Sequence, residues 1–239
     1  MTERATGIGT NQLLAALSPA DRARLNPHLL NYAMTQGKVL QEQGQRIDHV
    51  YFPKTGMISL LGVMSNGDAI ETATVGHEGM IGAPSGRGPR PAPSRAVVQV
   101  SGAALRITAA KFQGAVEVSD ALRDLVTRYK ETLFAQAQQT AACNALHMVE
   151  PRLCRWLLHT LDRTDGDIVP LTQEFLSQML GVRRTTVTEA ASALQATGVI
   201  QYRRGTITVV DRARLDRMAC ECYAAIRRHT DSVVVRRKR

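Results

Sequence analysis

"LTQEFLSQMLGVRRTTVTEAASALQATGVIQYRRGTITVV" runs from Leu171 to Val210. Thr172 precedes a run with helical apolar spacing, and a threonine there can cap the first turn. Gly181 closes that helix with a tight turn. "RRTTVTEAASALQATG" predicts a second helix, stopped by Gly198. Val187, Ala191 and Leu194 recur on one face of it and predict its core side. "VIQYRRGTITVV" then reads as a hairpin turning near Arg203 to Thr206. "TDGDIVPLT", just upstream, reads as a turn and a short strand. Helix, short turn, helix and hairpin, in that order, predict a winged helix-turn-helix.

In such a unit the second helix lies in the major groove, with its N-terminal residues at the base edges. Here that end carries Arg183, Arg184, Thr185, Thr188 and Glu189. Arginine suits guanine O6/N7, threonine suits a base edge or the thymine methyl, and glutamate suits the cytosine amino group. Arg203 and Arg204 at the hairpin tip suit phosphates, and Thr172 belongs to the same face. The charge distribution agrees. Pro151 to Arg239 holds 16 Lys/Arg against 9 Asp/Glu, whereas Met1 to Glu150 holds 14 against 12. A basic second part predicts a polyanionic partner, double-stranded DNA. The terminal "RRKR" adds nonspecific attraction to it.

The 239 residues suffice for two domains, and a hydrophobic fraction of 44% supports a packed core. Residues 11 to 34 read as short helices. From Gly37 the pattern becomes short apolar pieces broken by Gly, Pro and Asn-Gly. Asn66-Gly67-Asp68 predicts a hairpin, and the strand spacing predicts a small antiparallel roll. "APSGRGPRPAPS" (Ala83 to Ser94) predicts a loop. After Thr108 the signal is helical. Leu122, Val126, Tyr129, Leu133, Gln136, Thr140, Cys143 and His147 form a heptad seam, which predicts a long helix pairing with a second copy of the chain. The fold class is therefore α+β. A β-roll is expected over 11–108, a central dimerisation helix over 109–148 and a winged helix-turn-helix with a C-terminal helix and basic tail over 149–239.

The chain resembles the Crp/Fnr superfamily of bacterial transcription regulators. The pieces that carry the likeness are "GKVLQEQGQRIDHVYFPKTGMISL", "VGHEGMIG", the long helix to His147 and "LTQEFLSQMLGVRRTTVTEAASALQATGVI". The resemblance implies a homodimer on a palindromic promoter site, RNA polymerase as a partner, and an N-terminal roll of the cyclic-nucleotide-binding type. The family's pocket residues align with Gly82, Ala83, Ser94, Arg95, Ala137 and Gln138. At three steps the chain departs. Cyclic-AMP-binding relatives place a glutamate where Ala83 stands and an Arg-Ser pair where Ser94-Arg95 stands reversed. Their Thr-Ser pair falls on Ala137-Gln138. These departures argue against ordinary cyclic AMP binding and leave the effector and cofactor unknown. Arg87, Arg90 and Arg95 remain candidates for holding a phosphate. In well-known relatives a glutamate follows the recognition arginine; here Thr185 follows Arg184 and Glu189 stands at the later arginine position, so a different half-site is expected.

No cysteine precedes Cys143, so no iron–sulfur cluster of the family's N-terminal type is expected. His77 is a weak haem-ligand candidate and reads better as a hydrogen-bonded surface residue. Cys220 and Cys222 in "CECY" read as helical, about 200° apart, which would keep them from one metal ion. No metal ligand set is expected from that spacing. Cys143, on the seam, is a candidate for pairing with its own copy. A regulator controlled by abundance or cysteine redox state, without a ligand, is the alternative reading. HExxH, the P-loop and G-x-S-x-G are absent from the sequence, so the chain does not read as an enzyme. With no long apolar run and no signal pattern at the start, a cytoplasmic protein that makes no membrane contact is expected.

Overall fold

A computed structural model describes residues 11–83, 88, 90–164 and 166–234. Arg87 and the terminal "RRKR" lie outside the described residues. Two short helices open the chain, α1 (Gln12–Ala15) and α2 (Pro19–Leu25). Asn11 and Ser18 cap them by accepting from the backbone N–H of Leu14 and Asp21. Leu30–Met34, expected as helix, is instead strand β1. Its tertiary partner decides this, because β1 pairs in register with a later strand that offers a full antiparallel ladder.

Six more strands complete the roll: β2 (Val39–Gln41), β3 (His49–Pro53), β4 (Met57–Val63), β5 (Ala69–Val75), β6 (Arg95–Val100) and β7 (Gly102–Thr108). They form two antiparallel sheets, ordered β1-β7-β3 and β2-β6-β4-β5. Asn66-Gly67-Asp68 does turn the β4–β5 hairpin, with Gly67 at φ 91°. Met34, Ile58, Val75, Val98 and Ala104 fill the space between the sheets.

The helical stretch after Thr108 is two helices. Ser119, at φ −130° and ψ 109°, separates α3 (Ala109–Val118) from α4 (Asp120–Leu146) and caps α4 by accepting from the Leu122 N–H. α5 (Val149–Leu161) follows, then β8 (Ile168–Pro170), α6 (Gln173–Leu180), α7 (Arg184–Ala196), β9 (Ile200–Arg203) and β10 (Thr206–Val209). β8-β10-β9 is a three-stranded antiparallel sheet. α8 (Arg212–Met218) and α9 (Cys222–Val234) end the described chain. Among the described residues no helix is long and apolar enough to cross a membrane.

The seam on α4 is buried within the chain. Leu122, Val126, Tyr129, Gln136, Thr140 and Cys143 are all buried, and Leu133 is half-buried. The roll covers part of this face, where Gln136 Nε2 reaches Thr74 Oγ1 at 3.1 Å. α9 covers another part. Gln139 contacts Cys222, Thr132 contacts the His229 carbonyl and Arg128 contacts the Val233 carbonyl, so α9 runs antiparallel along α4. The seam residues are thus corrected from a surface for a second copy to an intramolecular core. The heptad spacing was real, but it marks whichever apolar face is covered, without saying by what. The exposed stripe of α4 carries Phe134, Gln138, Ala141, Ala145 and Leu146 instead.

A second correction concerns "CECY". α8 ends at Met218 and α9 starts at Cys222, so Cys220 lies in the break between them. Its thiol stands 3.5 Å from that of Cys143 in the same chain, so Cys143 faces its own C-terminal segment rather than a second copy.

Candidate nucleic-acid interface and roll cavity

The helix-turn-helix is built by caps and by one left-handed residue. Thr172 Oγ1 accepts from the Phe175 N–H at 3.2 Å and starts α6. Gly181 ends it at φ 62° and ψ 38°, a conformation that glycine adopts without the Cβ clash of other residues. Val187, Ala190, Ala191 and Leu194 bury one face of α7 in a core shared with α5, α6 and the small sheet. The opposite face presents Arg183, Arg184, Thr185, Thr188 and Glu189, all exposed. Arg183 is the N-cap of α7 and makes no side-chain capping bond. The first-turn N–H groups are therefore not capped by that side chain, as suits an approaching phosphate. Arg184 Nη1 lies 3.1 Å from Glu174 Oε2 across the turn, both side chains largely exposed.

The hairpin tip is a two-residue turn. Arg204 at φ 47° and Gly205 at φ 77° are both left-handed, the pattern of a type I′ turn whose twist matches its strands. Arg203 and Arg204 project from it, exposed. The Gly205 carbonyl accepts from the Leu171 N–H at 2.7 Å, which ties this wing to the segment that leads into Thr172. The hairpin tip and the segment that carries Thr172 are thus joined through the backbone.

In the roll, a cavity of about 740 Å³ opens between the strands, the stretch from Arg90 to Ser94 and helices α3 and α4. Gly82, Ala83 and Ser94 line it, as the resemblance implied, together with Arg90. Arg95, Ala137 and Gln138 are not among its lining residues. Arg95 instead pairs with Glu42 at 2.8 Å. Sequence reasoning missed Gln113, Glu117, Tyr129 and Lys130, which come from α3 and α4. Tyr129 had a signal, but the same apolar periodicity serves core and cavity wall alike. Burial lowers the pKa of Lys130.

A sequence model of the Crp-like helix-turn-helix domain matches residues 151–218, and one of the cyclic nucleotide-binding domain matches residues 33–119. The chain belongs to the Crp/Fnr superfamily. Solved structures of Crp/Fnr-type regulators share its fold. FixK2 from Bradyrhizobium japonicum superposes with a TM-score of 0.68 at 16% identity, over 80% of this chain and 98% of that one. A Crp/Fnr-family regulator from Eubacterium rectale gives 0.66 at 16%, over 86% and 96%. The c-di-GMP responsive global regulator CLP of Xanthomonas campestris gives 0.61 at 15%, over 81% and 100%. A search of curated proteins finds no match. The chain is therefore a DNA-binding transcription regulator of the Crp/Fnr type.

In this Crp/Fnr chain, buried polar groups join the roll to α5 and to the turn that follows it. Arg163 donates through Nε and Nη2 to Glu78 Oε1 at 2.9 and 2.7 Å, and through Nη1 to Thr74 Oγ1 at 2.8 Å. Burial alone would raise the pKa of Glu78, but the Arg163 guanidinium holds it below the usual carboxylate range. Trp156 Nε1 donates to Glu71 Oε1 at 3.1 Å, and Ser59 Oγ donates to Glu71 Oε2 at 2.5 Å. Burial pushes Glu71 up to about 7, against the pull of Ser59 and Arg155. Sequence offered no hint of the Trp156–Glu71 and Arg163–Glu78 pairs, because the partners lie 85 residues apart.

Proposed function

We propose that the chain is a homodimeric, sequence-specific regulator that reads a palindromic promoter site through α7 and contacts phosphates through the β9–β10 tip. On this reading the roll (11–108) senses, the helices over 109–148 connect and dimerise, and 149–239 binds DNA. The observation that carries it is the two-sidedness of α7. One face is packed in the core, while the other exposes Arg183, Arg184, Thr185, Thr188 and Glu189 beside a basic hairpin tip. The exposed apolar stripe of Phe134, Ala141, Ala145 and Leu146 supports pairing of two α4 helices. Dimer symmetry then sets half-site centres about one helical turn, roughly 34 Å, apart. RNA polymerase is the expected partner at such a site, and the cytoplasm the expected location.

The roll cavity is the proposed effector site. Ala83 in place of a carboxylate, and Arg95 held by Glu42, disfavour ordinary cyclic AMP binding. The same two features favour the second reading, a regulator that needs no nucleotide. Selection of bound fragments from random DNA, with purified protein and no nucleotide, separates them. A palindromic motif from the free protein supports the ligand-independent form. A motif that appears only with an added cyclic mononucleotide or cyclic dinucleotide supports gating through the roll. No motif under any condition overturns the proposal.

A further inference from the structure

Cys143, His147, Cys220 and Cys222 lie apart from both the DNA face and the roll cavity, and they converge where α4 gives way to α5. Each points one ligand atom at the same spot, and the four atoms lie within 4.8 Å of one another. Cys143 Sγ is 3.5 Å from Cys220 Sγ, and Cys222 Sγ is 3.5 Å from His147 Nδ1. We propose that these four side chains bind a zinc-class divalent cation in a closed tetrahedral site, which clamps the α8–α9 break to the end of α4.

The geometry fits that class of ion. Zn–S bonds of about 2.3 Å and Zn–N bonds of about 2.0–2.1 Å require ligand-to-ligand edges of about 3.5–3.8 Å in a tetrahedron. The two short edges already have that length. Closing the widest, at most 4.8 Å, takes about an ångström of side-chain adjustment. Two features of the backbone make the convergence possible. Cys143 and His147 stand four apart at the end of α4, on one face, with the His147 N–H bonded to the Cys143 carbonyl at 3.1 Å. The break at Cys220 lets two thiols from neighbouring positions turn to one point, which a continuous helix forbids.

The surroundings are those of a metal centre. His147 presents Nδ1 to the cluster, and its Nε2 lies 3.2 Å from Glu221 Oε1. A carboxylate on the far ring nitrogen fixes the tautomer and orientation of a ligating histidine. Gln139 Nε2 donates to Cys222 Sγ at 3.0 Å. Three thiolates, a neutral imidazole and a dication leave one net negative charge. Buried Arg152 and Arg155 on α5 supply positive charge beside the thiols. The Nε atoms of both are buried without a hydrogen-bond partner among the described residues. Three sulfurs and one nitrogen select a borderline-soft ion over magnesium or calcium, which take oxygen ligands. Four protein ligands leave no open position, so the ion is structural and not catalytic. A Cys143–Cys220 disulfide would use two of the four groups and leave the pairing of Cys222, His147 and Glu221 without a purpose.

The test uses the full chain purified under reducing conditions, with zinc and cobalt(II) as the probes. Elemental analysis after dialysis is expected to show stoichiometric zinc. Cobalt(II) added to the stripped protein is expected to give intense tetrahedral bands with thiolate charge transfer, displaced by zinc. Glu221 is largely exposed, so Glu221→Gln leaves the fold intact, and it is expected to weaken zinc binding about 10–100-fold. Cys222→Ser is expected to abolish the cobalt spectrum. The proposal is overturned if the reduced wild-type chain binds neither ion. It is equally overturned if the metal-free chain as isolated carries a Cys143–Cys220 disulfide by mass spectrometry and, once reduced, takes up no zinc.

Discussion

Arg184 and Arg204 are both exposed arginines of the proposed DNA face, and they stand at different places on it. Arg184 sits at the start of α7, held across the turn by Glu174 at 3.1 Å. An exposed pair of this kind is worth about 0–1 kcal/mol, so DNA can easily displace it. Arg184→Ala is expected to cost about 1–3 kcal/mol at one base-pair position per half-site, read from binding to a panel of single-base operator variants. A loss spread evenly over all operators would make it a phosphate contact instead. Arg204 stands at the hairpin tip with φ 47°, where asparagine is also comfortable. Arg204→Asn should therefore keep its melting temperature and lose affinity evenly across sequences. The slope of log K against log salt should fall by about one per chain. The arginines were legible from sequence because charge at a helix start and at a hairpin tip needs no tertiary information. The Glu174 contact was not, since it depends on how the Gly181 turn aims two helices.

At the scale of elements, α5 is the joint that matters. Its Trp156 enters the roll and donates to Glu71, whose carboxyl burial pushes up to about 7. The folded pKa lies above the unfolded one, so the folded state holds the extra proton between about 4.5 and about 7. Stability from this group is complete below that window and is lost as pH rises through it. The loss amounts to about 3 kcal/mol, at roughly 1.4 kcal/mol per unit. His159 acts oppositely. Buried and kept neutral by desolvation and by Arg163 and Arg155, its pKa lies well below 6.5, so it costs stability as pH falls below that value. Glu71→Gln removes only the first effect. Urea unfolding across pH should show the variant gaining on the wild type by about 3 kcal/mol between the ends of the Glu71 window. A constant difference would mean that Glu71 ionises normally in the folded chain. The break at Ser119 and the break at Cys220 belong to this scale too. Neither is marked by Pro or by Gly at the break itself, and helical periodicity runs through both, so the sequence read each as continuous helix.

For the whole molecule, the proposed dimer turns on which face of α4 is free to meet a second copy. Phe134 and Leu146 are 66% and 80% exposed, while the heptad seam lies under the roll and α9. Phe134→Glu is expected to shift the chain from dimer to monomer in sedimentation equilibrium, with its melting curve little changed. Tyr129, on the buried face, is the contrast; losing it should unfold the chain before it alters assembly. A dimer that survives Phe134→Glu would place the contact elsewhere. By itself the sequence determined the order of roll, long helix and helix-turn-helix, the hairpin at Asn66-Gly67-Asp68, the caps at Thr172 and Gly181, and the polar face of α7. These are local: a turn residue, a cap or an amphipathic stripe acts within a few positions of itself. Only the tertiary structure decided that Leu30–Met34 is a strand, that α9 covers the α4 seam, and that Cys143, His147, Cys220 and Cys222 meet. Those outcomes depend on groups up to 105 positions apart, and apolar periodicity records that a face is covered without recording what covers it.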